Sequence, residues 1–270
     1  MTKNELALYI NAVPQLEREI KRLNFLQKEE KSIRIAVFGK YNHGKSTLLN
    51  TIVGEEVFKA SDKRETTKNK THHHKNITWV DTPGLDADVT GKDDKEAEEG
   101  AFITADILFL VHNLKAGELD RYENDYYHRL INQKKDYQRR IFLILTQADQ
   151  VTAEQKKQIV SIIKKQLPDI TTFVVSATRF TKGLAEKKQI FIEKSGIIEL
   201  LDLTQRLSNG ALSLRSTEIL EIKNIIKNEL GKKYESVNNH LQQEIKNKKE
   251  MKNSFSYDVK NFTTKVKERG

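Results

Sequence analysis

Gly39-Lys40-Tyr41-Asn42-His43-Gly44-Lys45-Ser46-Thr47 follows directly on the apolar run Ile33 to Phe38 and precedes a helical pattern of Leu48, Leu49, Ile52 and Val53. A strand, then G-x-x-x-x-G-K-S, then a helix is the arrangement by which a backbone wraps the phosphates of a nucleotide. The glycines permit the turn and let the main chain come close, so that successive N–H groups and a helix N-terminus face the anion. In that arrangement Lys45 reaches the β and γ phosphates and Ser46 ligates Mg²⁺.

Three further segments follow in order. Asp81-Thr82-Pro83-Gly84 comes after the apolar Ile77, Trp79 and Val80, which places a carboxylate at the end of a second strand. There it holds Mg²⁺ through water, while the Gly84 N–H meets the γ-phosphate. Thr146-Gln147-Ala148-Asp149 follows Ile141 to Leu145, and Asp149 offers two acceptors to N1–H and the exocyclic amine of guanine. Ser176-Ala177-Thr178 follows Phe173 to Val175 and brings a backbone N–H toward guanine O6. All four segments sit at the C-terminal ends of expected strands, where open α/β sheets bind ligands.

With these elements the chain resembles the P-loop GTPases of the translation-factor-related class over roughly Ser32 to Leu207. It is most similar to the Era-like and bacterial dynamin-like members, whose loops read G-x-x-N-x-G-K-S-T-L-L-N with D-T-P-G downstream. The resemblance implies GTP as substrate, GDP as product and Mg²⁺ as cofactor. It implies phosphate contacts from Gly39, Tyr41, Asn42, His43, Gly44, Lys45, Ser46 and Thr47, and base contacts from Thr146, Gln147, Asp149, Ser176 and Ala177. The family's N/T-K-x-D has Gln147 in place of lysine, so the ring is covered without a charge, while the discriminating Asp149 is kept. Of the pair Thr66 and Thr67, the second is expected to close over Mg²⁺, giving a metal set of Ser46, Thr67 and, through water, Asp81. Ras-like relatives orient the attacking water with a Gln after the D-x-x-G glycine, but that position here is Leu85. Asn42 matches the loop residue that takes part of this task in dynamin-like relatives when two G domains meet, so Lys45, Asn42 and Thr67 are the expected catalytic set.

The triplet His72, His73 and His74 invites a metal reading. It falls in an expected strand leading to a turn at Lys75-Asn76, so only His72 and His74 share a face, and two ligands make a poor site. A solvated strand is the expectation.

The 270 residues carry 47 Lys and Arg against 38 Asp and Glu, a net charge of +9, and no cysteine. No disulfide can staple the fold, Met1 to Ile10 lacks the apolar core of a signal peptide, and the longest apolar runs are too short to span a bilayer. A cytoplasmic protein, peripheral at a membrane if it meets one, is expected.

Leu6, Ile10, Val13, Leu16, Ile20, Leu23 and Leu26 recur at spacings of three and four, marking one apolar stripe that Pro14 interrupts. Ile219, Ile222, Ile226, Leu230, Tyr234, Val237, Leu241 and Ile245 continue such a stripe for over seven turns before the period is lost beyond Lys252. The expected fold class is α/β: a three-layer P-loop G domain with a mostly parallel central sheet over 32–208, flanked by α-helical segments at 1–31 and 209–270. Dynamin-like relatives build a neck from helices before and after the G domain and meet through that domain, so the resemblance implies a neck from 1–31 and 209–270 and self-association through the G domain. Residues 209–270 hold 13 Lys and Arg against 8 Asp and Glu, so an anionic membrane surface, a partner chain or, less favoured, RNA is a further expectation.

Overall fold

The apolar runs become the strands of one sheet: β1 Ile33–Phe38, β2 Lys70–His74, β3 Ile77–Asp81, β4 Ile107–Asn113, β5 Arg140–Thr146 and β6 Thr171–Val174. Their order is β2-β3-β1-β4-β5-β6. β2 pairs antiparallel with β3, and every other neighbouring pair is parallel. Parallel strands are covered on both faces, which is why β1 and β4 are almost entirely buried, whereas the edge strand β2 alternates half-buried with exposed positions. The computed structural model describes residues 1–28, 32–58, 70–82, 99, 101–133 and 140–267.

Among the described residues the helices include α1 Lys3–Ala12, α2 Glu17–Leu26, α3 Lys45–Val53, α4 Arg121–Gln133, α5 Ala153–Gln166, α6 Ala177–Ala185, α7 Gln189–Glu193 and α8 Ile197–Lys267. Thr2 and Thr152 start α1 and α5 through capping boxes with Glu5 and Gln155. Pro14 opens a 3₁₀ turn, Pro14–Leu16, that separates α1 from α2, because its ring has no N–H for the ladder.

The chain divides into two compact units. In Lys21–Leu220 the sheet has two apolar faces. Ile35, Val37 and Phe109 pack in one cluster with Leu48 and Leu49 of α3 and Leu200 of α8. Leu108, Leu110 and Leu143 pack in the other with Tyr127 of α4 and Ile163 of α5. Register lines up the strand ends: Val37 pairs with Asp81, Asn113 with Thr146, and Leu145 with Val174. One sheet edge therefore gathers the four segments singled out in the sequence.

Near the start of β1 and β4 the same unit buries a charge network. Arg22 donates to both oxygens of Glu218 at 2.9 and 2.8 Å, to Asp106 at 3.0 Å and to the Ile103 carbonyl at 3.1 Å. Arg215 donates to both oxygens of Asp106 and to the Ser32 carbonyl, while the Arg34 N–H donates to Asp106 at 2.7 Å. Burial alone would raise the Asp106 pKa, but the bonds and charges of Arg215 and Arg22 hold it below its ordinary value.

The second unit, Met1–Ile20 with Glu221–Gly270, buries Val13, Ile20, Ile222 and Ile226, and Lys233 donates to the Ala12 carbonyl at 2.6 Å. Beyond these, Tyr234, Val237, Leu241, Ile245, Phe255 and Phe262 are exposed. The helix α8 runs through the expected helical segment 209–270 as far as Lys267, and what is corrected is the loss of the apolar period beyond Lys252. Phe255, Val259 and Phe262 keep the three-and-four spacing, and no proline follows Pro168 to break the ladder.

Candidate functional site

The phosphate loop leaves β1 at Phe38 and enters α3 at Lys45. Gly39 is required by proximity: a Cβ there would lie 2.3 Å from the Val111 carbonyl oxygen of β4. Gly44 is required by conformation, since it caps α3 at φ 83°. Asn42 also sits in the left-handed region, at φ 59°, which asparagine tolerates better than other side chains. Tyr41 is half-buried, and Asn42 and Thr47 are exposed along the loop.

Lys45 is buried, with its Nζ donating to the Gly39 and Lys40 carbonyls at 2.9 and 3.0 Å. The ammonium thus closes the loop as a ring and is held where an anion on the loop would meet it. Ser46 Oγ donates to Asp81 Oδ2 at 2.8 Å, and Asp81 Oδ1 is buried with no hydrogen-bond partner among the described residues. Burial raises the Asp81 pKa against the opposing Lys45 charge and Ser46 bond. A carboxylate oxygen kept from water beside a hydroxyl is the hard-oxygen donor set that suits Mg²⁺. Thr82, next in the chain, donates to the Val37 carbonyl at 2.7 Å and fixes the end of β3 against β1.

The base-side loops begin where β5 and β6 end. Thr146 Oγ1 donates to the His43 carbonyl at 2.6 Å, and Gln147 Nε2 donates to the Asn42 carbonyl at 3.3 Å. Gln147, at φ 55°, therefore lies against the phosphate loop. Ser176, the N-cap of α6, donates to Asp149 Oδ1 at 2.5 Å and accepts from the Arg179 N–H at 3.0 Å, which orients the carboxylate. Gly44, Thr47, Thr146, Gln147, Asp149 and Ala177 line a cavity of about 350 Å³ with Lys115, Gln150 and Thr178.

The structure thus brings together the expected Gly39 to Thr47, Asp81, Thr146, Gln147, Asp149, Ser176 and Ala177. Thr66, Thr67 and Gly84 lie outside the described residues. Lys115 was not singled out in the sequence, although it follows the end of β4, the same signal that marked Asp81 and Asp149. Asn113 Oδ1 accepts from the Lys115 N–H at 2.8 Å and turns the chain toward the cavity. The histidine triplet alternates as expected of a strand, with His73 exposed and His72 and His74 half-buried. His72 meets the Phe58 ring edge at 6.1 Å.

His43 points its side chain inward instead, beside His112 of β4 and Glu123 of α4. Burial would raise the Glu123 carboxyl, but the His112 and His43 imidazoles beside it bring it down to about 2. A depressed carboxyl stabilises the fold fully above its ordinary value of 4.5 and loses that contribution as pH falls toward 2. Acid titration of the unfolding free energy is therefore expected to drop across that window, and Glu123→Gln to flatten the drop. An unchanged acid limb in the variant would contradict this account.

The family described as 50S ribosome-binding GTPase matches residues 34–165. A protein of Acinetobacter baylyi is 40% identical over 189 residues, 70% of this chain and 45% of that protein. GTPase Era of Lactobacillus helveticus is 32% identical over 46% of this chain and 42% of its own. The probable GTP-binding protein EngB of Kosmotoga olearia is 31% identical over 58% of this chain and 86% of its own. Among solved structures, a chain of an oligomerised bacterial dynamin pair aligns over 98% of this chain and 51% of its own, at 19% identity and a TM-score of 0.54, a likeness of fold alone. The chain spans less than half the length of the first two of these relatives.

Proposed function

The chain belongs to the family described as 50S ribosome-binding GTPase, and from that membership we propose that it binds GTP with Mg²⁺ and hydrolyses it to GDP and phosphate. The observation that carries the reading is the joined edge of the sheet. At one end the Lys45 ammonium and the N-terminus of α3 lie together on the phosphate loop; at the other Asp149, oriented by Ser176, walls a cavity; the Thr146 hydroxyl ties the two. Lys45 and the loop amides hold the phosphates, Asp149 reads the guanine edge under Gln147 and Ala177, and Gly84 meets the γ-phosphate. Ser46, Thr67 and, through water, Asp81 would hold Mg²⁺, which would supply positive charge against the charge developing on the phosphates. Asn42 positions the attacking water, since Leu85 offers no polar group. Nucleotide competition tests the base assignment: Asp149→Asn is expected to lower the preference for GTP over ATP by about 100-fold, because mismatched polar edges are left unpaired. Equal competition by GTP and ATP in the unmutated chain would remove Asp149 from this role.

The segments 1–31 and 209–270 act in this reading as a neck, and two copies meet through 32–208 at a membrane surface, each completing the other's water-positioning group. The dynamin-like likeness supports it because it extends over 98% of the chain, helices included. Specific activity is expected to climb as protein rises from nanomolar to tens of micromolar, and a flat profile would reject the self-association. The second reading, a ribosome-associated GTPase, is favoured by the family description and by the Era likeness. Less favourable to it, the Era likeness covers only 46% of this chain. GTP-dependent cosedimentation with ribosomal subunits, and not with anionic vesicles, would reverse the choice.

A further inference from the structure

Three ligand atoms converge from the phosphate loop, β4 and α4. His43 is 7% exposed, and His112 and Glu123 are 1% exposed. Glu123 Oε1 lies 2.9 Å from His112 Nδ1 and 3.2 Å from His43 Nδ1, and the three lie within 4.8 Å of one another. His112 Nε2 faces the Gly117 carbonyl at 2.9 Å, which can only accept, so that nitrogen carries the hydrogen. In the neutral ring Nδ1 then presents a lone pair to a carboxylate oxygen. His43 Nδ1 approaches the same oxygen and is buried without a hydrogen-bond partner among the described residues. A second proton on His112 would satisfy one of these contacts and leave His43 orphaned. One cation shared by the three atoms satisfies them all.

We propose that His43, His112 and Glu123 form a binding site for a transition-metal dication of the zinc class, separate from the nucleotide's Mg²⁺. Two imidazoles and a carboxylate are the mixed nitrogen and oxygen donors that zinc takes, whereas the hard-oxygen Ser46 and Asp81 suit magnesium. Tetrahedral bonds of about 2.0–2.1 Å put ligand atoms about 3.3 Å apart, so 3.2 and 2.9 Å call for an outward shift of a few tenths of an ångström. The Gly117 carbonyl supplies the outer hydrogen bond that orients a ligating imidazole. Tyr127 donates to the Val111 carbonyl at 2.8 Å with its oxygen 3.1 Å from Glu123 Oε1, at the edge of the site. An ion there would join residue 43 of the phosphate loop to β4 and α4.

The test uses the full chain, stripped by chelator and free of nucleotide, titrated with Zn²⁺ against a chromophoric chelator, with Co²⁺ as the spectroscopic probe. The expected result is one tight Zn²⁺ per chain, tetrahedral Co²⁺ bands, and loss of affinity by more than about 100-fold in His112→Gln and Glu123→Gln, beyond the cost of losing an outer partner. The double variant His72→Ala, His74→Ala is expected to bind as the unmutated chain does. X-ray absorption on the Zn²⁺-loaded unmutated chain keeps the proposal falsifiable should the buried variants fail to fold, and it is expected to count two imidazoles. The proposal is overturned by absence of tight Zn²⁺, by fewer than two imidazoles, or by binding that vanishes with His72 and His74.

Discussion

Replacing Lys45 with alanine is expected to weaken GTP binding by about 100- to 1000-fold. The Lys45 Nζ donates to two neutral carbonyls, Gly39 and Lys40, at 2.9 and 3.0 Å. On nucleotide binding those acceptors give way to phosphate oxygens, and hydrogen bonds to charged groups contribute about 1.5–3 kcal/mol each. Two such bonds correspond to about 3–6 kcal/mol, the carbonyl bonds given up bring the net to about 3–4 kcal/mol, and each 1.4 kcal/mol is about tenfold in affinity. The alanine variant also loses the ring closure of the loop, which adds an ordering cost to binding. Calorimetric titration of GTP into both proteins checks the figure, and an affinity within about threefold of the unmutated chain would remove Lys45 from the phosphate site.

Arg22→Ala is expected to lower the unfolding free energy by about 3–5 kcal/mol, the usual cost of removing one member of a buried ion network. Arg22 is 1% exposed and is held by Glu218, Asp106 and the Ile103 carbonyl. The alanine leaves carboxylates in the interior without its five donors. Domains of this size have about 5–15 kcal/mol of stability in all, so the variant should unfold at visibly lower urea. Replacing Arg22 and Glu218 together by methionine and leucine is expected to cost far less, because no charge is then stranded. A loss below about 1 kcal/mol for Arg22→Ala would mean that water reaches the network.

What the sequence reveals of this molecule is whatever is local. Gly39 to Thr47 fall within nine consecutive positions, and their spacing alone encodes turn, helix start and anion. Asp81, Thr146 and Ser176 are legible because each ends an apolar run, so the strand rule places them on one edge before any pairing is known. Lys115 lies under the same rule and escaped it because a 3₁₀ turn, not a recognised motif, follows β4. Contacts between distant positions stay hidden. Arg22 meets Glu218 across 196 positions and His43 takes its place beside His112 only when β1 and β4 pair, and no periodicity records either. The apolar stripe of α8 is hard to follow beyond Lys252 because three aromatic or β-branched residues spread over eight positions are faint against the surrounding lysines, while the absence of proline is the stronger signal of continued helix.

The Thr146 hydroxyl, 2.6 Å from the His43 carbonyl, has a kinetic consequence. Together with Gln147 on Asn42 it sets the span between the two ends of the ligand when the chain folds, not when the ligand arrives. The entropy of ordering these loops is then lost on folding, so differences among nucleotides should appear more in how slowly each departs than in how fast it arrives.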